Sequence, residues 1–373
     1  MSTIRRPGLP RVSPLELFYD LVFVVVIQQL SVRVESGAAV ADYLAVAGLT
    51  VAIWLCWLNQ LLLMNQLAAR NGMEVTLVLI AMAGLGVIAI SFGDPAVWDP
   101  RLFVIGYVAA RTALWPLWSR TPVRRTLWTP FVFGPVLALL WLVTLALPPV
   151  LMPAAWVILV AVEVSIVVTG LPSVAHNAGH LTERAGLFVL ILLGDCIAET
   201  VTALEPASPA PVWFAAAAAF VTTCVVWVNY FMLGPYAARR STSRAAPEYV
   251  RDVILLAHLL LVLGLLLLAA GFNSAIDHAT TAPAPAAARI GICSGLLLIL
   301  CGQALMSVRS GVPLRRTASW FLPLALIVAV PLIAAPVVDQ LPSYAVGCLA
   351  VGAQAAVAVA GVRERRLSAG RVS

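Results

Sequence analysis

The chain is a succession of apolar runs, each about as long as a bilayer is thick, separated by short polar breaks. An α-helix needs about 20 consecutive apolar residues to cross the hydrocarbon core. Candidate spans fall at 15–32, 42–64, 74–92, 102–118, 127–147, 154–172, 184–204, 212–233, 252–273, 289–307, 318–338 and 344–362. Most breaks are brief, as in EPASPAP at 205–211, and the two longest, 234–251 and 274–288, are too short for a soluble domain. The pattern predicts an all-α, polytopic integral membrane protein of about 12 transmembrane helices. Met1 to Pro14 is polar and proline-bearing, and no small-residue cleavage site closes a short apolar run, so the first run is expected to be a retained span and not a signal peptide.

Composition agrees. Of 373 residues, 62% are hydrophobic and 11% charged, where soluble domains run near 45–50% apolar and about 25% charged. A disordered chain, a fibrous repeat and a disulfide-rich secreted fold are excluded. Every one of the 23 basic residues is arginine. They are scattered through the breaks and form no patch, so no nucleic-acid partner is expected despite a formal charge of +6. Cys56, Cys196, Cys224, Cys293, Cys301 and Cys348 all fall inside apolar runs without a CxxC pair, and read as small buried hydrophobes. There is no P-loop, dinucleotide fingerprint, GxSxG elbow or EF-hand, so no cofactor and no metal is expected.

The arginines carry a topology signal. With a cytoplasmic N-terminus and twelve alternating spans, the inside segments hold Arg5, Arg6, Arg11, Arg70, Arg120, Arg124, Arg125, Arg184, Arg239, Arg240, Arg244, Arg251, Arg309, Arg315, Arg316, Arg363, Arg365, Arg366 and Arg371. Only Arg33, Arg101 and Arg289 fall outside, with Arg111 within a span. Cytoplasmic loops are enriched in basic residues, so an N-in, C-in topology is expected. Trp98, Trp115, Trp118, Trp128, Trp156, Trp213 and Trp320 lie near span ends, where an interfacial belt is expected.

The chain is expected to comprise a cytoplasmic tail at 1–14, a six-helix half at 15–172, a second at 173–362 and a cytoplasmic tail at 363–373. Two parallel halves are suggested by Glu16 followed by Trp57-Leu58-Asn59, and Glu183 followed by Trp227-Val228-Asn229, at intervals of 41 and 44 residues.

Ionisable groups inside a bilayer are costly and are candidates for function. Glu16 and Asp20 are four apart on one helical face of the first span, with Gln28 and Gln29 deeper. They read either as an anchor held by salt bridges or as a cation or proton site. His176, His180, Glu183 and Arg184 form a polar cluster at the start of the seventh span, joined by Arg251 before the ninth. His176 and His180 have a metal-compatible spacing, but Asn177 stands where a metalloprotease needs Glu. The helix is expected to begin near Leu181 or Thr182. Asp195 and Glu199 lie mid-span and one turn apart, as a proton-holding pair or as partners of Arg111 or His258. His258 reads either as a proton relay or as a donor to a backbone carbonyl. Arg251 and His258 are seven apart, on one side of a regular helix. Asn59, Asn65 and Gln66 in the second span, with Tyr107, Trp227, Asn229 and Tyr230, are candidates to line an interior cavity. Glu163 needs a partner that the sequence does not name.

Two stretches carry a family resemblance. SPLELFYDLVFVVVIQQLS resembles the ELFFDLVFV signature of the bacterial low-temperature-requirement A family through Glu16, Phe18, Asp20, Leu21, Val22 and Phe23. HLTERAGLFVLILLGDCIAET resembles its HLxERFGLFVIIxLGE signature through His180, Glu183, Arg184, Gly186, Leu187, Phe188 and Gly194. Tyr107 and Arg111 resemble its YxxxR element, Trp227 and Tyr230 its WxxYF element, and Arg251 with His258 its polar element. Position 195 is Asp where the family usually has Glu. NQLAARNGMEV replaces an acidic stretch resembling RFDTDD, leaving Arg70 and Glu74 as its charges. The resemblance implies a multi-pass protein of a bacterial inner membrane.

Three functions are open at this point. The leading expectation is a transporter or channel-like permease for an ion or small solute, proton-coupled through buried carboxylates. The alternatives are a membrane-embedded enzyme acting on a lipid or isoprenoid headgroup, and a non-catalytic scaffold for stress adaptation. Membrane lipids, a small solute or ion, and protons are the expected partners.

Overall fold

A computed structural model describes residues 12–36, 39–67, 71–93, 98–121, 132–170, 177–233, 247–281, 285–334 and 343–369. The expected site residue His176 and the belt residue Trp128 lie outside them. The protein is all-α: α1 (Pro14–Ser36), α2 (Val40–Gln66), α3 (Gly72–Ser91), α4 (Pro100–Thr112), α5 (Leu137–Val143), α6 (Met152–Gly170), α7 (Ala178–Thr202), α8 (Ala210–Trp227), α9 (His258–Asp277), α10 (Ala286–Arg309), α11 (Leu314–Ile333) and α12 (Ser343–Ala369). A single turn at Trp115–Trp118 follows α4. α5 is flanked by a π-helical turn, Val132–Val136, and a 3₁₀ turn, Thr144–Ala146. α8 runs on through a π-helical stretch, Val228–Leu233, and α9 is entered through Pro247–Tyr249 and the π-helical Val250–Ala257.

Ten helices among the described residues are long and apolar enough to cross a membrane. The expected fourth span is broken after Thr112, and the described part of the expected fifth, 132–146, is a π-helical turn, a short α-helix and a 3₁₀ turn. The chain is thus a polytopic membrane protein with ten to twelve apolar helices. α12 stays helical to Ala369, past the point where a tail is expected.

Local sequence sets several starts. Ser13 and Glu16 form a capping box at α1 with Pro14 at the first helical position: Glu16 N–H donates to Ser13 Oγ at 3.3 Å, and Ser13 N–H donates to Glu16 Oε1 at 3.2 Å. α3 has a capping box of Asn71 and Glu74, and Arg120 reaches Glu74 at 3.3 Å. One of the charges left where the chain departs from the acidic family stretch therefore starts a helix. α7 begins at Ala178, a turn earlier than expected, because Asn177 Oδ1 accepts from the His180 N–H at 3.3 Å. Arg184, expected in the first turn of this helix at the cytoplasmic side, accordingly lies nearly two turns inside α7 and is fully buried.

The chain divides into two compact units. One takes in Met1–Leu30, Leu44–Phe188 and Thr242–Arg251, the other Ser31–Tyr43, Val189–Ser241 and Asp252–Ser373. In the first, α3 packs on α4, α4 on α5 and α5 on α6. α3 and α4 approach through Gly84 and Gly106, where a Cβ on Gly106 would stand 2.7 Å from the Gly84 carbonyl oxygen. In the second, α9 packs on α10, α10 on α11, and α8 on α12. Gly264 with Gly295 and Gly271 with Gly291 give α9 and α10 the same backbone approach. Of the expected belt residues, the half-buried Trp118 donates to Asn59 and the buried Trp156 to Thr144 Oγ1 at 3.0 Å, giving each indole N–H an acceptor.

Candidate functional site

The first unit brings together the two motif stretches that lie 164 residues apart in the chain. Glu16 Oε1 accepts from Ser13, and its Oε2 faces His180 Nε2 at 2.8 Å and Arg184 Nη1 at 3.5 Å. Arg184 also grips Asp20 with two prongs, Nη2 to Oδ1 at 2.7 Å and Nε to Oδ2 at 3.3 Å. Trp57 Nε1 donates to the same Asp20 oxygen at 2.8 Å. All four ionisable groups are buried, Asp20, His180 and Arg184 completely. Helical spacing explains the match: Glu16 and Asp20 are one turn apart on α1, and His180 and Arg184 one turn apart on α7.

Aromatic rings close the cluster. The Arg184 guanidinium lies 5.8 Å from the Trp57 ring centroid. Trp57 stacks on Trp54 at 4.4 Å and meets Phe188 at 4.8 Å, and Phe188 meets Phe23 at 5.6 Å. Such a wall keeps the local dielectric low and strengthens each charge pair.

Asn65, at the end of α2, determines where the His180 proton sits. Asn65 Oδ1 accepts from the Asn177 N–H at 3.0 Å, and Nδ2 donates to the Asn177 carbonyl at 3.1 Å. The main chain of Asn177 thereby fixes which end of the amide is nitrogen. That nitrogen lies 3.2 Å from His180 Nδ1. An amide nitrogen only donates, so Nδ1 accepts, and the imidazole proton is on Nε2, donated to Glu16.

A second buried network holds α4, α5 and α6 together. Arg111 Nη1 donates to Glu163 Oε2 at 2.6 Å and to the Tyr107 hydroxyl at 3.0 Å. Tyr107 donates to the same Glu163 oxygen at 2.6 Å, and Trp141 Nε1 to Oε1 at 2.8 Å. Glu163 thus has its partner, and Arg111 is engaged by it. Of the residues expected as cavity lining, Tyr107 is bonded within this network and Asn59 accepts from Trp118 at 2.7 Å.

The second unit contains Asp195, Glu199 and His258. Asp195 and Glu199 are partly exposed, and Asp195 makes no hydrogen bond or ion pair among the described residues. His258 Nδ1 lies 2.7 Å from the Val253 carbonyl oxygen and Nε2 lies 2.8 Å from the Tyr230 hydroxyl. A neutral imidazole meets both contacts, donating to Val253 and accepting from Tyr230. The backbone-donor alternative therefore matches the geometry. Asp252 pairs with Arg309. The π-helical turn widens the register between Arg251 and His258, so their spacing of seven does not place them on one face as it would in an α-helix. Trp57 is fully buried whereas Trp227 is 38% exposed, so the two matching triplets have different surroundings. Gln28, Glu183 and Arg251 are half-buried.

Sequence reading missed Ser13, whose S-x-x-E pattern before an apolar run marks a capping box, and the role of Asn177 as a cap. It also missed Gln303 and Gln354, which meet Asn229 in the second unit. No group of three or more His, Cys, Asp or Glu able to hold a metal occurs among the described residues.

A family model described as bacterial low temperature requirement A protein (LtrA) matches residues 11–359. A protein of Rhizobium meliloti (strain 1021), described as "Uncharacterized protein RA0937", is 25% identical over 297 residues, covering 70% of this chain and 69% of its own. No solved structure matches the chain.

Proposed function

The chain belongs to the bacterial low temperature requirement A protein (LtrA) family, and we propose that it is a proton-coupled permease for an ion or small solute in the bacterial inner membrane, with both termini in the cytoplasm. The observation that carries this reading is the buried Glu16–His180–Asn65 arrangement. His180 holds one proton against Glu16 and offers Nδ1 for a second. A second proton sets an N–H of His180 against the N–H₂ of Asn65. Asn65 must then turn, and its grip on the Asn177 main chain goes with it. Proton uptake is in this way coupled to the first turn of α7.

Asp20 serves a different part. It keeps Arg184 paired when Glu16 changes its hold, so the guanidinium is never left buried without a counter-charge. The Arg111–Glu163 network is a helix clasp, because both carboxylate oxygens of Glu163 and its three donors are occupied by one another. A headgroup enzyme would need His180 open to lipid, and it is fully buried.

The test is uptake into proteoliposomes under an imposed pH gradient, across a broad panel of ions and small solutes, with Glu16→Gln beside wild type. Gradient-driven uptake of at least one solute, lost in Glu16→Gln, is expected. A folded wild-type protein that moves nothing in the panel overturns the reading.

A further inference from the structure

Three carboxamides from three helices of the second unit meet inside it. Asn229 lies in the π-helical stretch after α8, Gln303 in α10 and Gln354 in α12, and all three are buried, Gln354 completely. Asn229 Nδ2 donates to the Gln354 main-chain carbonyl at 2.9 Å and to Gln354 Oε1 at 3.0 Å. Gln303 Nε2 donates to that same Oε1 at 3.3 Å.

These bonds leave no freedom in the orientation of the amides. A main-chain carbonyl only accepts, so it must face the nitrogen of Asn229. The end of Gln354 that faces Asn229 must then be oxygen, and its nitrogen points elsewhere. Turning Gln354 over would set N–H₂ against N–H₂. Three polar atoms remain: Gln354 Nε2, Asn229 Oδ1 and Gln303 Oε1, each buried and meeting no hydrogen-bond partner among the described residues. Buried polar groups in folded proteins are overwhelmingly paired, and three orphans around one set of contacts mark a place where something else completes the bonding.

The leftover chemistry is one N–H₂ donor and two carbonyl acceptors, with no ionised side chain among the three residues. A cation there would face the N–H₂ of Gln354, and an anion would face two carbonyl oxygens. We propose that Asn229, Gln303 and Gln354 form a binding site for one small neutral molecule that both donates and accepts hydrogen bonds, within the size range from water to a short amide. This site shares no residue with the Glu16–His180 cluster, so its failure would leave the permease reading untouched.

Saturation-transfer NMR with acetamide on the purified full-length protein in lipid nanodiscs tests it. The expected result is transfer to the acetamide methyl group that formamide displaces and acetone, which only accepts, does not. Gln354→Leu and Gln303→Leu, read whenever they keep the wild-type elution and unfolding profile, lose the signal. A water-sized site gives no acetamide signal but shows radiolytic hydroxyl-radical labelling beside Gln303 and Gln354 in wild type, because bound water is activated in place. Absence of both signals in wild type overturns the proposal, as does displacement by acetone as readily as by formamide, or unchanged signals in folded variants.

Discussion

Asn65 donates to His180 Nδ1 from α2 while the main chain of Asn177 holds both ends of the Asn65 amide. One side chain therefore fixes the tautomer of a buried histidine and ties the end of α2 to the start of α7. Glu16, on α1, faces the other ring nitrogen. Arg184 lies 3.5 Å from Glu16 and pairs with Asp20 as well.

Hydrogen exchange should report the release of this tie. As pH falls and His180 takes up a second proton, Asn65 is repelled from Nδ1 and the Asn177 clamp opens. The amide of Asn177, donated to Asn65 Oδ1, should then exchange faster relative to the intrinsic rate at that pH. In Asn65→Leu the clamp is absent at every pH, so protection there should be low and independent of pH. Equal pH dependence in the two proteins would contradict the assignment of the His180 proton.

Glu163→Gln should destabilise the first unit by about 3–5 kcal/mol, because it leaves Arg111 buried without its counter-charge. Arg111→Met should cost a similar amount, and the double variant less than the sum of the two, since the residues share one network. Thermal unfolding in nanodiscs, followed by tryptophan fluorescence, checks both. A Glu163→Gln protein as stable as wild type would show that the clasp contributes nothing.

Asp195 is an acid inside α7 that has no hydrogen bond or ion pair among the described residues, so removing its charge breaks nothing. Asp195→Asn should leave stability within about 0.5 kcal/mol of wild type, the range of substitutions away from built features. If the carboxylate serves the permeating species, uptake falls while folding is kept. Unfolding and uptake measured on the same preparation separate the two effects.

Gly84 and Gly106 let α3 and α4 touch backbone to backbone. Gly106→Val forces its branched side chain against the Gly84 carbonyl and the main chain at Ile88, and overpacking of this kind costs about 1–3 kcal/mol. The expected result is a lower unfolding midpoint, with the shift smaller for Gly86→Val, where a Cβ meets nothing within 4 Å.

Much of the fold was legible because hydropathy is a local signal: each apolar run is read without knowing its neighbours. The polar pairs were harder. Glu16 and Asp20 on one side, and His180 and Arg184 on the other, each showed helical spacing, but spacing says which face a residue shares and not which helix it meets. Glu163 and Arg111 stand 52 residues apart with no pattern linking them. Gln303 and Gln354 are single amides in long apolar helices, and nothing in either helix marks them as partners of Asn229. The start of α7 at Ala178, a turn before Leu181 or Thr182, depends on one short hydrogen-bonding side chain, Asn177, so how deep Arg184 lies in the helix is not carried by hydropathy. The π-helical stretches at 228–233 and 250–257 have no periodic signature in so apolar a sequence, and they alter the register of Asn229, Tyr230 and Arg251.

The central claim is that Glu16 and His180 move a proton with a solute. Its most direct test is a pH-sensitive dye trapped in proteoliposomes, with solute added outside and no other gradient imposed. Wild type should change the internal pH only when a transported solute is present, while Glu16→Gln and His180→Gln, folded to the wild-type unfolding profile, should match protein-free liposomes. Solute uptake with no proton movement in wild type, or the same dye response in Glu16→Gln as in wild type, would contradict it.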